Sequence, residues 1–232
     1  MPLDIAVIGG NTGIGLSVVR LLAAAGHRVH LAARSPGEAG PLAATVRPFD
    51  ADEPAGLAWP DRLDGLAYFP GTIALKPFHR MTDEDFRRDL QVNFFGAVEA
   101  LRSALPALKA SGSASVVLFS TVAVAQGMPM HAGIAAAKGA LEGLARSLAA
   151  EWAPVVRVNV VAPGLTDTPL AAALLADDAR RAAAAKRHPL QRVGEAGQAA
   201  ELTAWLLGPG SVFMTGQVLR PDGGLSAVRT FG

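Results

Sequence analysis

The sequence predicts an α/β protein: a single doubly wound domain over residues 1–232, with a seven-stranded parallel sheet flanked by helices on both faces. Three observations carry this. Short apolar runs of strand length alternate with longer helical patterns, the mark of a parallel sheet with crossover helices. Gly and Pro punctuate the strand ends, at Gly9-Gly10, Pro70-Gly71, Pro163-Gly164 and Gly223-Gly224. Neither an internal repeat nor a low-complexity linker divides the chain.

Strands are predicted at 3–8, 28–33, 44–49, 65–69, 114–120, 156–161 and 216–220. Each run is short and almost wholly apolar, as strands buried on both faces are. Helices are predicted at 14–25, 83–109, 133–152, 168–185 and 196–207. In the 133–152 segment Ile134, Leu141, Leu144, Leu148 and Trp152 recur near helical spacing and give it a buried stripe. The Ala-rich run at 171–185 reads as helix.

Composition narrows the function. Half of the 232 residues are hydrophobic and 18% are charged, so the chain is a folded globule. The net charge of +1 and the lack of a basic run give no footprint for nucleic acid or an anionic membrane. The apolar runs are too short or too interrupted to span a bilayer, and no secretory leader or transit peptide is visible. With no cysteine, disulfides, thiol catalysis and Cys-ligated zinc are excluded, which fits a cytoplasmic protein. His27, His30, His79, His131 and His188 form no ligand pattern, so no metal site is expected.

The stretch "AVIGGNTGIGLSVVRLLAAAGHRVHLAAR" reads as strand, Gly-rich turn, helix and second strand. Gly9, Gly13 and Gly15 follow a GxxxGxG spacing. Glycines there allow a sharp turn and let a pyrophosphate approach the helix N-terminus, where free N–H groups favour anions. Gly9, Asn11, Thr12, Gly13, Ile14 and Gly15 are therefore the candidate dinucleotide turn. An acid closing the second strand would hold the ribose 2′-hydroxyl of NAD. Here Ala33 holds that place, followed by Arg34 and Ser35, so NADP(H) is favoured over NAD(H) because a guanidinium suits the 2′-phosphate. Asp50, after the third strand, is placed to accept from the adenine amino group.

Taken together, these motifs resemble those of the short-chain dehydrogenase/reductase family, over nearly the whole chain. The glycine turn matches. Of the family's Asn-Asn-Ala-Gly after strand four, "YFPG" keeps Gly71; the helix asparagine matches Asn93; "VRVNVVAPGLTDTP" matches the segment beside the nicotinamide. Thr121 stands at the serine position, with Ser120 adjacent, and the 188–224 tail follows the family pattern. The resemblance implies a Rossmann-type NAD(P)-binding domain, a small-molecule substrate, and a homodimer or homotetramer. It implies cofactor contacts from Lys138, Pro163, Gly164, Thr166 and Thr168, and a lid over 165–189. The aliphatic face of that lid, with Met128 and Met130 opposite, implies a largely apolar substrate. The chain is short between Asp50 and Tyr68, so the helix after strand three is expected to be reduced or lost.

One departure touches the chemistry. The family's Tyr-x-x-x-Lys reads Ile134-Ala-Ala-Ala-Lys138, and isoleucine neither donates nor accepts a proton. Acid–base assistance is worth about 10²–10⁴-fold in rate, so another group must act or the protein is a poor carbonyl reductase. His131 lies seven residues before Lys138, the register in which the family's bacterial enoyl reductases place their tyrosine, and imidazole titrates near neutrality. Thr121, Ser120 and Asn93 could position substrate oxygen or water; Tyr68 reads as packing and His79 as a solvated loop residue. Three functions stay open: an NADP(H)-dependent reductase with an altered proton donor, a catalytically silent nucleotide-binding homologue, or a non-redox enzyme on the same fold.

Overall fold

In the computed structural model, which describes residues 1–54 and 56–230, the first apolar run forms β1 (Asp4–Ile8), every residue of it buried. The chain continues through α1 (Gly13–Ala24), β2 (Arg28–Ala33), β3 (Thr45–Pro48) and β4 (Gly65–Tyr68). Next come α2 (Asp83–Leu90), a π-helical turn (Gln91–Phe95), α3 (Gly96–Ser111) and β5 (Ala114–Phe119). The last third holds α4 (Ala132–Trp152), β6 (Val156–Val161), β7 (Thr166–Asp167), α5 (Asp178–Arg187), β8 (Gly194–Glu195), α6 (Ala196–Leu207) and β9 (Val218–Leu219).

Seven strands form one sheet in the order β3-β2-β1-β4-β5-β6-β9, and every neighbouring pair is parallel. β7 and β8 make a two-stranded pair of their own. Alternate strand residues point to opposite faces. Ile5, Val7, Leu31 and Val117 pack with Val18, Val19 and Leu22 of α1 and Leu206 of α6. Ile8, Leu66, Leu118 and Val158 pack with Ala97, Leu101 and Leu108 of α3 and Leu141 of α4. Both faces are dry, which is why the strands read as continuous apolar runs. Strand order reverses between β1 and β4, and in sheets of this kind the crevice beyond the strand ends at that point is where ligands bind.

The expected doubly wound sheet is present, with three departures in its helices and last strand. Among the described residues no helix forms between β3 and β4, as the short segment implied, and the β2–β3 link holds only a 3₁₀ stretch, Gly37–Leu42. The helix expected over 83–109 carries a π-helical turn. The buried Tyr68 hydroxyl donates to Val92 O at 2.7 Å, taking a carbonyl of that turn. The helix expected over 168–185 is two pieces, a 3₁₀ run Pro169–Leu175 and then α5. Asp177 breaks it by accepting from Arg180 N at 2.8 Å, an N-cap that overrides the helix preference of the alanines. The strand expected over 216–220 shrinks to β9, since Gly216 has φ +72°.

Candidate active site

A cleft of about 250 Å³ opens beyond the C-terminal ends of β1 to β4, lined in part by Gly9, Asn11, Thr12, Arg34, Asp50 and Gly71. The backbone at its floor needs its glycines. Gly9 and Gly13 adopt φ of +73° and +54°, a region costly for residues with a Cβ. A Cβ on Gly9 would come within 2.8 Å of Pro70, and one on Gly15 within 2.7 Å of Gly9 O. Thr12 caps α1 without a side-chain hydrogen bond, and no acid stands in the first turn. The first N–H groups of a helix have no partner inside it, so the turn presents open donors and the positive end of the helix dipole. This floor fits a pyrophosphate.

Beyond β2, Ala33 is buried and Arg34 and Ser35 are exposed. Arg34 has no ion pair among the described residues. Asp50 accepts from Asp52 N at 3.0 Å and lines the cleft together with Asp52, which sequence reasoning did not single out.

Lys138 lies on α4, one turn beyond Ile134, and both side chains are buried. Its ammonium nitrogen is 3.5 Å from where a Cβ on Gly71 would stand, and Asn93 Oδ1 is 3.1 Å from the same point. Lysine, asparagine and cleft therefore meet. Burial pushes the Lys138 ammonium down to about 7, against the charge of Asp89, which raises it. Asn93 is fully buried in the π-turn; its Nδ2 donates to Thr72 Oγ1 at 2.9 Å and Asp89 O at 2.8 Å, and its Oδ1 accepts from Thr72 N at 3.3 Å. Thr72 Oγ1 in turn donates to Asp89 Oδ1 at 2.6 Å.

Other candidates divide. Thr121 is half-buried at the end of β5, its Oγ1 accepting from Ala123 N at 3.3 Å, which leaves its proton free to donate. Ser120 is committed elsewhere, since its buried hydroxyl donates to Glu142 Oε1 at 2.7 Å. His131 is the N-cap residue of α4, with Nδ1 at 2.7 Å from Pro129 O; the helix starts just after it, so the two-turn register holds only as far as that cap. Pro163 O accepts from Val122 N at 3.1 Å, tying its turn to the end of β5. Thr166 donates to Gly164 O at 3.1 Å, and Thr168 side-chain carbons lie 3.4 Å from where a Cβ on Gly13 would stand. The segment expected to be the lid thus packs onto the glycine turn through Thr168, and Leu170 reaches the cleft. Tyr68 is fully buried, its hydroxyl pushed well above its usual range by burial and held by Val92, so it is packing. His79 is exposed.

Sequence reasoning missed Asp89 and Thr72. Asp89 follows two arginines in "DEDFRRDL" and looks like part of a solvated helix face; the available signal was its place four residues before Asn93, on the same face of the helix.

A Rossmann-type sheet with an open glycine turn at its switch point and a buried lysine facing the cleft defines a nucleotide-dependent oxidoreductase fold. Comparison with known proteins agrees. A family model described as enoyl-(acyl carrier protein) reductase matches residues 8–226. A tropinone reductase homolog of Arabidopsis thaliana is 35% identical, over 95% of this chain and 91% of its own. The cis-4-hydroxycyclohexanecarboxylate dehydrogenase of Sinomonas cyclohexanicum is also 35% identical, over 96% of each chain. Among solved structures, an Agrobacterium tumefaciens protein described as a candidate 2-deoxy-D-gluconate 3-dehydrogenase, with bound NADP, superposes with a TM-score of 0.89 at 29% identity over 97% of both chains. The chain belongs to the short-chain dehydrogenase/reductase family of oxidoreductases. No helix among the described residues is long and apolar enough to cross a membrane.

Proposed function

We propose that this protein is an NADP(H)-dependent reductase or dehydrogenase acting on a carbonyl or alcohol of a small, largely apolar substrate, with a proton donor other than tyrosine. The observation that carries cofactor binding is Lys138, a buried ammonium facing the cleft with no carboxylate within ion-pair distance among the described residues; its retention together with Asn93 and Thr121 favours the reductase over a silent homologue. Burying an unpaired charge costs several kcal/mol, a cost that a structural role alone does not explain.

A bound nicotinamide dinucleotide supplies or accepts a hydride at carbon. The chain's own residues do the rest. Gly9 through Gly15, with Asn11, Thr12 and Ile14, offer backbone donors to the pyrophosphate. Arg34 and Ser35 meet the 2′-phosphate, Asp50 accepts from the adenine amino group, and Lys138 holds the nicotinamide ribose beside Gly71, Pro163, Gly164, Thr166 and Thr168. Thr121 donates to the substrate oxygen. Asn93 holds the loop that carries Gly71. Leu170, within the 3₁₀ run Pro169–Leu175, closes over the site with an apolar side chain. Assembly as a homodimer or homotetramer in the cytoplasm belongs to the same reading; Trp205, Val212 and Phe213 are exposed near the C-terminus and suit such an interface.

NADPH fluorescence titration tests this directly. Tight NADPH binding with weaker NADH binding, plus NADPH oxidation with alicyclic ketones or enones, is the expected result. Arg34→Glu is expected to weaken NADPH binding at least tenfold while leaving NADH little changed. No fluorescence response would sink the reading. The second reading, a silent nucleotide-binding homologue, is favoured by Ile134 itself, which is 5% exposed and fills the tyrosine position with packing. Binding without turnover across a carbonyl and enone panel would select it.

A further inference from the structure

The unexplained group in this site is Asp89. It is 2% exposed on α2, and while Oδ1 accepts from Thr72, Oδ2 has no hydrogen-bond partner among the described residues. That oxygen packs against the backbone of Gly133, in the first turn of α4 beside Ile134: a Cβ on Gly133 would collide with it. A buried carboxylate oxygen left unpaired is costly. The fold accepts that cost and also leaves a glycine opposite, so the carboxylate is seated against the helix that carries Lys138. A purely structural account exists, since an anion near a helix N-terminus is stabilising. That account leaves unexplained why Oδ2, seated against that first turn, takes no hydrogen bond among the described residues.

We propose that Asp89 is a positioning residue, the counter-charge that keeps Lys138 protonated beside the cleft, and that Lys138 delivers the proton which tyrosine delivers in the rest of the family. The proposal rests on the reductase reading above. Its balance is simple. A bound reduced nicotinamide would supply the hydride that the carbonyl carbon gains, and would itself be oxidised. The carbonyl oxygen forms its O–H bond as an N–H bond of the Lys138 ammonium breaks. The lysine is left neutral and is reprotonated from solvent. A lysine brought near neutrality by burial is matched to this task.

Other charges nearby are accounted for. Asp85 of α2 is held by Lys76 and by Thr82 N. Glu142 of α4 binds Ser120. Arg157 of β6 is bonded to carbonyls at 206, 208, 211 and 214. His131 at the head of α4 is bonded to Pro129 O. Asp89 differs from them in its place: it bonds Thr72 and Asn93, and Asn93 and the Lys138 ammonium lie together beside Gly71, so its charge favours the ammonium.

The test uses the intact cofactor-free protein and a readout independent of turnover. The chain has four lysines, Lys76, Lys109, Lys138 and Lys186, so ¹³Cε-lysine NMR resolves them, with Lys138→Arg assigning the signal. In the wild type that signal is expected to titrate near neutrality. Asp89→Asn should move its midpoint down by at least half a pH unit, because the charge that favours the ammonium is gone. Should Asp89→Asn fail to fold, Asp89→Ser carries the same expectation. With NADPH and a reducible ketone, the alkaline fall in kcat/KM should follow the NMR midpoint and shift down with it in Asp89→Asn. An unmoved NMR midpoint overturns the proposal, as does an alkaline limb that disappears in His131→Ala. Those results leave the reductase reading intact, whereas absence of NADPH binding to the wild type would end both.

Discussion

At position 134 a single side chain separates holding a cofactor from moving a proton. Ile134 is buried on the same face as Lys138, so the family's hydroxyl can be restored in place. Ile134→Tyr should raise kcat/KM for a ketone by about 10²-fold, the lower end of what acid–base assistance supplies, and should move the pH profile toward higher pH. An unchanged rate would mean that proton transfer does not limit turnover. Tyr68 makes the contrast. Tyr68→Phe removes the donor to Val92 O inside the core, so it should cost about 1–3 kcal/mol in urea unfolding and leave kcat within twofold. At this scale the sequence was legible wherever a motif fixes the residue type, as at Gly9, Asn93 and Lys138. It was opaque where a side chain's direction decides. Ser120 and Thr121 are adjacent hydroxyls, and only the strand's alternation sends Ser120 to Glu142 and leaves Thr121 at the strand end. Asp89 was opaque for a similar reason, because only the packing of α2 on α4 shows that it points inward.

Among the elements, the strands and the first helix were readable because burial on two faces and a glycine turn each leave a plain residue pattern. The lid was not. Its alanines promise one helix, and only the competing N-cap at Asp177 and the Thr168-Pro169 start explain the break. The π-turn was equally hidden, and the Tyr68 hydroxyl that takes its Val92 carbonyl comes from another element. The α1 turn yields the element-scale prediction. Gly13→Ala forces a Cβ onto φ +54°, at a cost of about 1–2 kcal/mol, and sets it against Thr168. NADPH affinity should fall at least tenfold in a fluorescence titration while the far-ultraviolet circular dichroism stays that of the wild type.

For the whole molecule, the buried lysine makes stability depend on pH. Lys138 sits near 7 when folded, against an ordinary value of 10.5, so between those limits the unfolded chain holds the proton that the folded chain has lost. Stability then rises with pH across that window, and the lysine's destabilising effect is fully present below about 7. Lys138→Met should therefore raise the apo Tm most at pH 6 to 7 and less by pH 9.5, as read by scanning calorimetry. An equal gain at every pH would contradict the burial of a titrating ammonium. Thr168 rests on Gly13, although one belongs to the last third of the chain and the other to its start. During synthesis the glycine turn leaves the ribosome early, and domains fold as units with their N-terminal parts exposed first. Because a domain folds as a unit, the packing of Thr168 on Gly13 forms only after the last third of the chain has emerged, and the first turn of the fold is among the last parts to be finished.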